Sequence, residues 1–319
     1  MKTLPTNVRR KRGFTLIELM VAMTITTMIV TVLVSITAIA LDTWTRSRSE
    51  IRANRQAKSM LDTMSRDLEA LVNRRGANTE WLSAITEPVE AKGAIPAIDS
   101  PSSSSLIFYT SPTDRYNGEV SEEEKTVGDV SCVGYQLKYQ DPIQAEGAKE
   151  IPTFVLYRNL VDPDKTYEEL LSKSNRTATS LRSMFDEAFG SETDDPNNFV
   201  CENIFQFTIT LNVRVERSFA RGASTVDVPI TLGGANATAT EFRLEAGNII
   251  TDFSVRSSDV SDDELKAGSL TSVEVSMSVL TDFGVEQMRV RSFKTPTEQA
   301  EFLTKNSYHY SKLVPVATP

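Results

Sequence analysis

Met20 to Leu41 holds no charged side chain, and a basic leader, Arg9-Arg10-Lys11-Arg12-Gly13, leads into it through Phe14-Thr15-Leu16-Ile17-Glu18. As a helix, Phe14 to Leu41 reaches about 42 Å at ~1.5 Å per residue, against the ~30 Å of a bilayer's hydrocarbon core. The run is long enough to span a membrane. A carboxylate inside such a span is costly and usually functional, so Glu18 requires a partner. No small-residue cleavage site of the A-x-A kind closes the apolar run, so the helix is expected to stay attached rather than leave as a secretory signal peptide.

Beyond the span the helix is expected to continue, because Ala57, Met60, Leu61, Met64, Leu68, Leu71 and Val72 recur at i, i+3, i+4 and i+7. No Pro or Gly interrupts Phe14 to Arg75. A helix from Phe14 to Asn73 would be about 90 Å long at ~1.5 Å per residue. The stripe covers too few heptads for a coiled-coil seam and reads as the face that packs on a globular head. Gly76, after Arg74 and Arg75, is placed to end the helix. The expected division is a leader 1–13, a membrane half 14–41, an amphipathic half 42–75 and a head 76–319.

The head reads as antiparallel sheet with irregular insertions, giving an α+β chain. Phe205, Phe207, Ile209, Leu211, Val213 and Val215 share one parity and polar residues take the other, the pattern of a strand with one buried and one wet face. Leu106 to Tyr109, Val133 to Tyr139, Ile249 to Val255 and Val273 to Leu280 are further strands. The last is expected to turn through Thr281-Asp282-Phe283-Gly284 into a partner at Met288 to Phe293. Tyr167 to Lys173 and Leu181 to Phe189 have short helical patterns. Residues 88–105, rich in Pro, Gly and Ser, read as a loop or linker, and Ser218 to Thr240, rich in Gly, Ala, Ser and Thr, as a loop or a disordered stretch.

The junction at Gly13, Phe14 and Glu18, within Gly-Phe-Thr-Leu-Ile-Glu-Leu-Met, resembles the type IV prepilin signal. The resemblance implies that a prepilin peptidase cuts after Gly13 and methylates the new amino terminus of Phe14. It also implies that Glu18 steers packing against neighbouring subunits, its charge answered by another copy's terminal amine in a low-dielectric fibre core. It places the leader in the cytoplasm, the helix in the bacterial inner membrane as a single pass, and the head across it. Charge alone leaves that orientation undecided, since Arg46, Arg48, Arg52, Arg55 and Lys58 follow the span as densely as the leader precedes it. Trp44 lies where an interfacial anchor would.

After the anchor, Leu106-Ile107-Phe108-Tyr109, Gly134-Tyr135-Gln136-Leu137 and Val155-Leu156-Tyr157-Arg158 resemble segments of the minor pseudopilin J of type II secretion systems, as do Leu270 to Leu280 with Met288 to Phe293. Extra segments at 159–198 and 216–245, and Ser35 where many major pilins have Pro, depart from that pattern. They look more like the enlarged pseudopilin-like proteins termed Verru_Chthon cassette protein C. The implied partners are other pseudopilins or minor pilins, besides the peptidase and inner-membrane lipid.

Two cysteines, Cys132 and Cys201, lie near strand starts, and an envelope location permits a disulfide between them. Spacing leaves open whether they bond or stay as two buried thiols. Loss of the five leader cations would take the formal net charge from -9 to -14, a poor match for nucleic acid. The one His, His309, sits near the carboxyl terminus, and no HExxH, GxSxG or P-loop spacing occurs. No enzyme, cofactor or metal is therefore expected. The acidic run Asp186, Glu187, Glu192, Asp194, Asp195 with Asn197 and Asn198 offers oxygens of the sort calcium takes, but without EF-hand spacing it reads as a solvated loop. Two functions stay open, a fibre subunit and a singly anchored binding module that never polymerises.

Overall fold

One unbroken helix, α1 (Leu16–Glu69), opens the chain. The structure is a computed structural model and describes residues 15–74, 79–89, 100–111, 129–143, 152–172, 180–193, 195–219, 222–253, 260–291 and 293–317. After α1 come β1 (Glu80–Val89), β2 (Ser100–Thr110), β3 (Ser131–Gln140) and β4 (Thr153–Leu160), then α2 (Pro163–Thr166), a π-helical turn Tyr167–Leu171 and α3 (Leu181–Phe189). The next strands are β5 (Phe199–Glu202), β6 (Ile204–Phe219), β7 (Gly222–Leu232), β8 (Glu241–Glu245) and β9 (Asn248–Thr251). The chain closes with α4 (Asp262–Lys266), β10 (Ser269–Leu280), α5 (Asp282–Val290), α6 (Pro296–Asn306) and β11 (Ser307–Pro315). It divides into two compact units, one up to Ser49 and one from Glu50 onward.

The second unit holds two antiparallel sheets. One has seven strands in the order β5-β4-β3-β2-β1-β8-β9, the other four in the order β11-β10-β6-β7. The chain passes from the first sheet to the second at Asn203, whose φ of 63° lies in the left-handed region that Asn tolerates better than most residues. Alternation along the strands assigns two layers. Leu82, Phe108, Val133, Tyr135, Leu156, Phe207, Ile209, Val275 and Met277 bury one continuous core, and Ala57, Met60, Met64 and Leu68 of α1 close it. On the other face of the larger sheet, Trp81, Ile107, Tyr109 and Cys132 meet Leu170, Leu181, Phe185 and Phe189. The ring of Phe185 lies over Gly134, where an added Cβ would come within 2.7 Å of it.

One buried ion pair joins α1 to the larger sheet. Arg158 on β4 forks onto Asp67, Nε to Oδ2 and Nη2 to Oδ1, both at 2.7 Å. Tyr135 on β3 donates its hydroxyl to Asp67 Oδ2 at 2.6 Å. The side chains of Arg158 and Asp67 are 13% and 3% exposed, and such a fork is specific as well as strong. Burial, the Asp67 charge and its hydrogen bond all raise the Tyr135 phenol well above its ordinary value. Thr110 adds a hydroxyl bond to the Asp67 carbonyl at 2.8 Å.

The structure departs from the sequence reading at several places. Helix α1 ends at Glu69 because the next residues take sheet bonds instead: Leu71 bridges Thr110, and the Val72 N–H reaches the Tyr109 carbonyl at 2.9 Å. Gly76 lies outside the described residues. Met288 to Phe293 is not the partner of β10. Thr281 caps α5 by accepting the Gly284 N–H at 3.0 Å, so the segment after β10 turns helical. The partner is β11, from Val273↔Val314 to Leu280↔Ser307. Two expected loops are also strand in part: β7 pairs along β6 from Ile209↔Leu232 onward, and β2 starts at Ser100 with Ser104 bonded to the Leu232 carbonyl at 2.7 Å.

Two outcomes follow. Asp67→Ala leaves Arg158 buried without its carboxylate and should cost about 3–5 kcal/mol of stability, read from urea unfolding of the full chain in detergent. The second concerns Glu80 on β1, which holds the start of α3 through the Leu181 N–H at 2.9 Å. Burial raises its carboxyl above the ordinary 4.5, against the lowering pull of that N–H, of Arg243 and of Ser83. Above 4.5 the folded chain retains a proton that the unfolded chain has released, so stability falls as pH rises through the raised value. Glu80→Gln keeps an acceptor and should remove that part of the decline, measured as the urea midpoint across the acid-to-neutral range.

Candidate functional site

The first turn of α1 contains its own answer to a lone acid. Thr15 precedes the helix, and its N–H and hydroxyl both donate to Glu18 Oε2, at 3.0 and 2.9 Å. The Glu18 N–H returns a bond to Thr15 Oγ1 at 3.3 Å. This is a reciprocal capping box, which satisfies helix-end donors that would otherwise be bare in lipid. The spacing Thr15-x-x-Glu18 signalled it in the sequence, and the reading of Glu18 as an acid in need of an external partner missed it. Gly13 and Phe14 lie outside the described residues.

The rest of the run is apolar and exposed among the described residues. Its most apolar window has a mean hydropathy of 2.3 and is 0% buried. Leu16, Met23, Met28, Leu33, Ile36 and Ile39 are each more than half exposed, which would be unfavourable in water. Polar side chains in the run satisfy themselves. Thr24, Thr26, Thr27, Thr31, Ser35 and Thr37 each donate to the carbonyl four residues earlier at 2.7–2.9 Å, so no hydroxyl among them needs water. Beyond the charge-free run, the Arg48 guanidinium lies 5.5 Å from the Trp44 ring centroid, an aromatic and a cation at the place where a span meets its interface.

Residues 8–40 match a protein family described as the prokaryotic N-terminal methylation motif. The amino-terminal segment is therefore that of a type IV pilin- or pseudopilin-like prepilin, with an anchoring apolar helix. No curated protein and no solved structure matches the chain. The motif is one of structural subunits rather than of enzymes.

The two cysteines are not brought together. Both are free and buried, with Cys132 on the α3 face of the larger sheet and Cys201 in the core on its opposite face. Of the two readings left open, a bonded pair or two buried thiols, the structure has the second: β3 and β5 flank β4, and the two thiols point to opposite sides of the layer. Burial pushes the Cys132 thiol well up and the Cys201 thiol to about 12, so neither is an activated nucleophile. His309 is exposed on β11, with Nδ1 3.4 Å from Ser278 Oγ. In the acidic run, Asp195 accepts the Asn197 N–H at 2.8 Å and Asp186 pairs with Arg182 at 3.4 Å, while Asp194 lies outside the described residues. Among the described residues no three His, Cys, Asp or Glu side chains converge on a metal position.

Thiol chemistry checks the placement. In the native chain both cysteines should resist a water-soluble disulfide reagent, and unfolding without reductant should release two reactive thiols; an oxidised pair would release none.

Proposed function

We propose that this chain is a pseudopilin-like structural subunit of a type II secretion or type IV pilus-like envelope fibre. Prepilin peptidase cuts between Gly13 and Phe14 and methylates Phe14. The helix then remains in the inner membrane as a single pass, with the head outside the cytoplasm. From there it joins other pseudopilins or minor pilins as a minor component similar to pseudopilin J. The observation that carries this reading is the methylation motif over residues 8–40, set on an apolar helix whose single early acid is Glu18.

The chemistry of the first turn supports an order of events. Before assembly, Thr15 holds the Glu18 carboxylate with two short hydrogen bonds, which lowers the cost of keeping it at the membrane. Cutting at Gly13 creates an amine one residue before Thr15. In a fibre core that cation on one subunit meets Glu18 of the next, and the attraction grows as water leaves. This contact at Glu18 depends on cutting, so the uncut precursor cannot make it.

Processing separates this function from that of a singly anchored binding module. With the peptidase co-expressed, Gly13→Ala should accumulate as full-length precursor, and intact-mass measurement of the wild type should give a methylated Phe14 terminus. Glu18→Ala should be cut normally yet fail to co-purify partner subunits. Normal cleavage of Gly13→Ala would sink the proposal.

A further inference from the structure

The second half of α1 buries one face and leaves a different kind of surface on the other. Ala53, Ala57, Met60 and Met64 enter the core. At about 100° per residue, Ile51, Arg55, Lys58 and Arg66 fall on the opposite face, and all four are exposed. Arg55, Lys58 and Arg66 make no ion pair among the described residues. The acid within this stripe, Asp62, pairs with Lys312 at 2.8 Å and is also attracted by Lys58 and Arg66. The face is therefore a cationic strip with one aliphatic side chain, about 16 Å from Arg55 to Arg66 at ~1.5 Å per residue.

The layer on the far side of the larger sheet carries the opposite sign. Asp164 on α2, Glu168 on the π-helical turn, and Asp186 and Glu187 on α3 are exposed, with Lys165 the one exposed cation on these elements, and Glu192 and Asp195 follow directly. Arg182, on α3, is occupied by Glu87 at 2.6 Å and Asp186 at 3.4 Å. Helix α3 is about 13 Å long at ~1.5 Å per residue, close to the length of the cationic strip. The two surfaces lie on opposite sides of one sheet, since α1 packs on the face of Phe108 and Tyr135 and α3 on that of Ile107 and Cys132.

From this complementarity we infer that the outward face of α1, at Ile51, Arg55, Lys58 and Arg66, docks on the acidic α2–α3 layer of a second copy of the chain. Because the patches lie back to back, no two-fold dimer can satisfy both at once. The contact is heterologous and propagates from copy to copy. It also absorbs an acidic run that the prepilin reading leaves unused. Opposite charge sets register and speeds encounter, and the contact weakens with salt.

The test uses the full-length precursor with its leader intact, in non-ionic detergent, so that its result does not depend on cleavage at Gly13. Sedimentation velocity at low salt should show oligomers that lengthen with protein concentration and dissociate as salt approaches about 0.5 M, where screening acts within a few Å. The double change Arg55→Glu with Lys58→Glu should weaken association by at least about tenfold, and Glu168→Lys with Glu187→Lys should do the same. Mixing these two variants makes both contacts complementary again, reversed strip on reversed head and native strip on native head, and should restore oligomers in which the two variants alternate. A wild-type chain that stays monomeric at low salt would overturn the inference, whatever else the strip binds. So would association that ignores both salt and charge reversal, which would point to the apolar helices. Should a variant fold poorly by circular dichroism, the wild-type salt titration still decides.

Discussion

The architecture hangs on a carboxylate that sits inside the protein at the last turn of a long helix. Asp67 is almost fully buried, and a buried carboxylate is tolerable only when its oxygens are answered. Arg158 and Tyr135 answer them from two adjacent strands, at 2.6–2.7 Å. An apolar stripe such as Met60, Met64 and Leu68 could slide or rotate on a sheet with little penalty, because hydrophobic contact is non-directional. A bidentate fork cannot. The pair therefore contributes less to gross stability than to a single register of helix on sheet, and that register determines which helix face turns outward.

Periodicity made the helix legible, and local chemistry accounts for what it hid. The charge-free run and the stripe from Ala57 to Leu68 named α1 directly, since both depend on a 3.6-residue period. Strand β6 was equally plain, because Phe207, Ile209, Leu211 and Val213 face a core while Thr208, Thr210 and Asn212 face water. The hairpin expected after β10 failed through a capping residue: Thr281 with Gly284 three positions on starts a helix, and turn-forming composition cannot tell the two apart. Strand β11 was hidden because an edge strand buries little, with Val314 its one fully buried side chain. Serines 104 and 105 read as linker by composition, yet tertiary hydrogen bonds hold both in β2.

At the candidate site, the motif residues were visible and their local bonding was not. Gly13, Phe14 and Glu18 announce themselves by order and spacing. Asp67 and Arg158, the charges that matter most to the head, do not. Each is one acid or one base among many, ninety-one residues apart, and nothing in composition marks them as partners. The cysteines teach the same lesson from the other side. Spacing allowed Cys132 and Cys201 to meet, whereas parity on two strands of one sheet decided against it.

Glu18 and Asp67 set out two solutions to one problem, at either end of the same helix. At the carboxyl end the protein supplies a fixed cation from its own sheet, so the charge is neutralised on folding. At the amino end, among the described residues, Thr15 answers it, its hydroxyl and N–H stabilising the carboxylate without cancelling its charge. A hydrogen-bonded anion in a low-dielectric setting is still attracted to any cation that comes near, by an energy that scales inversely with dielectric. Among the described residues, the carboxylate where the helix joins the head is ion-paired, and the one in its first turn is hydrogen-bonded but not ion-paired. In the proposed fibre, that asymmetry would favour a cationic neighbour at the amino terminus.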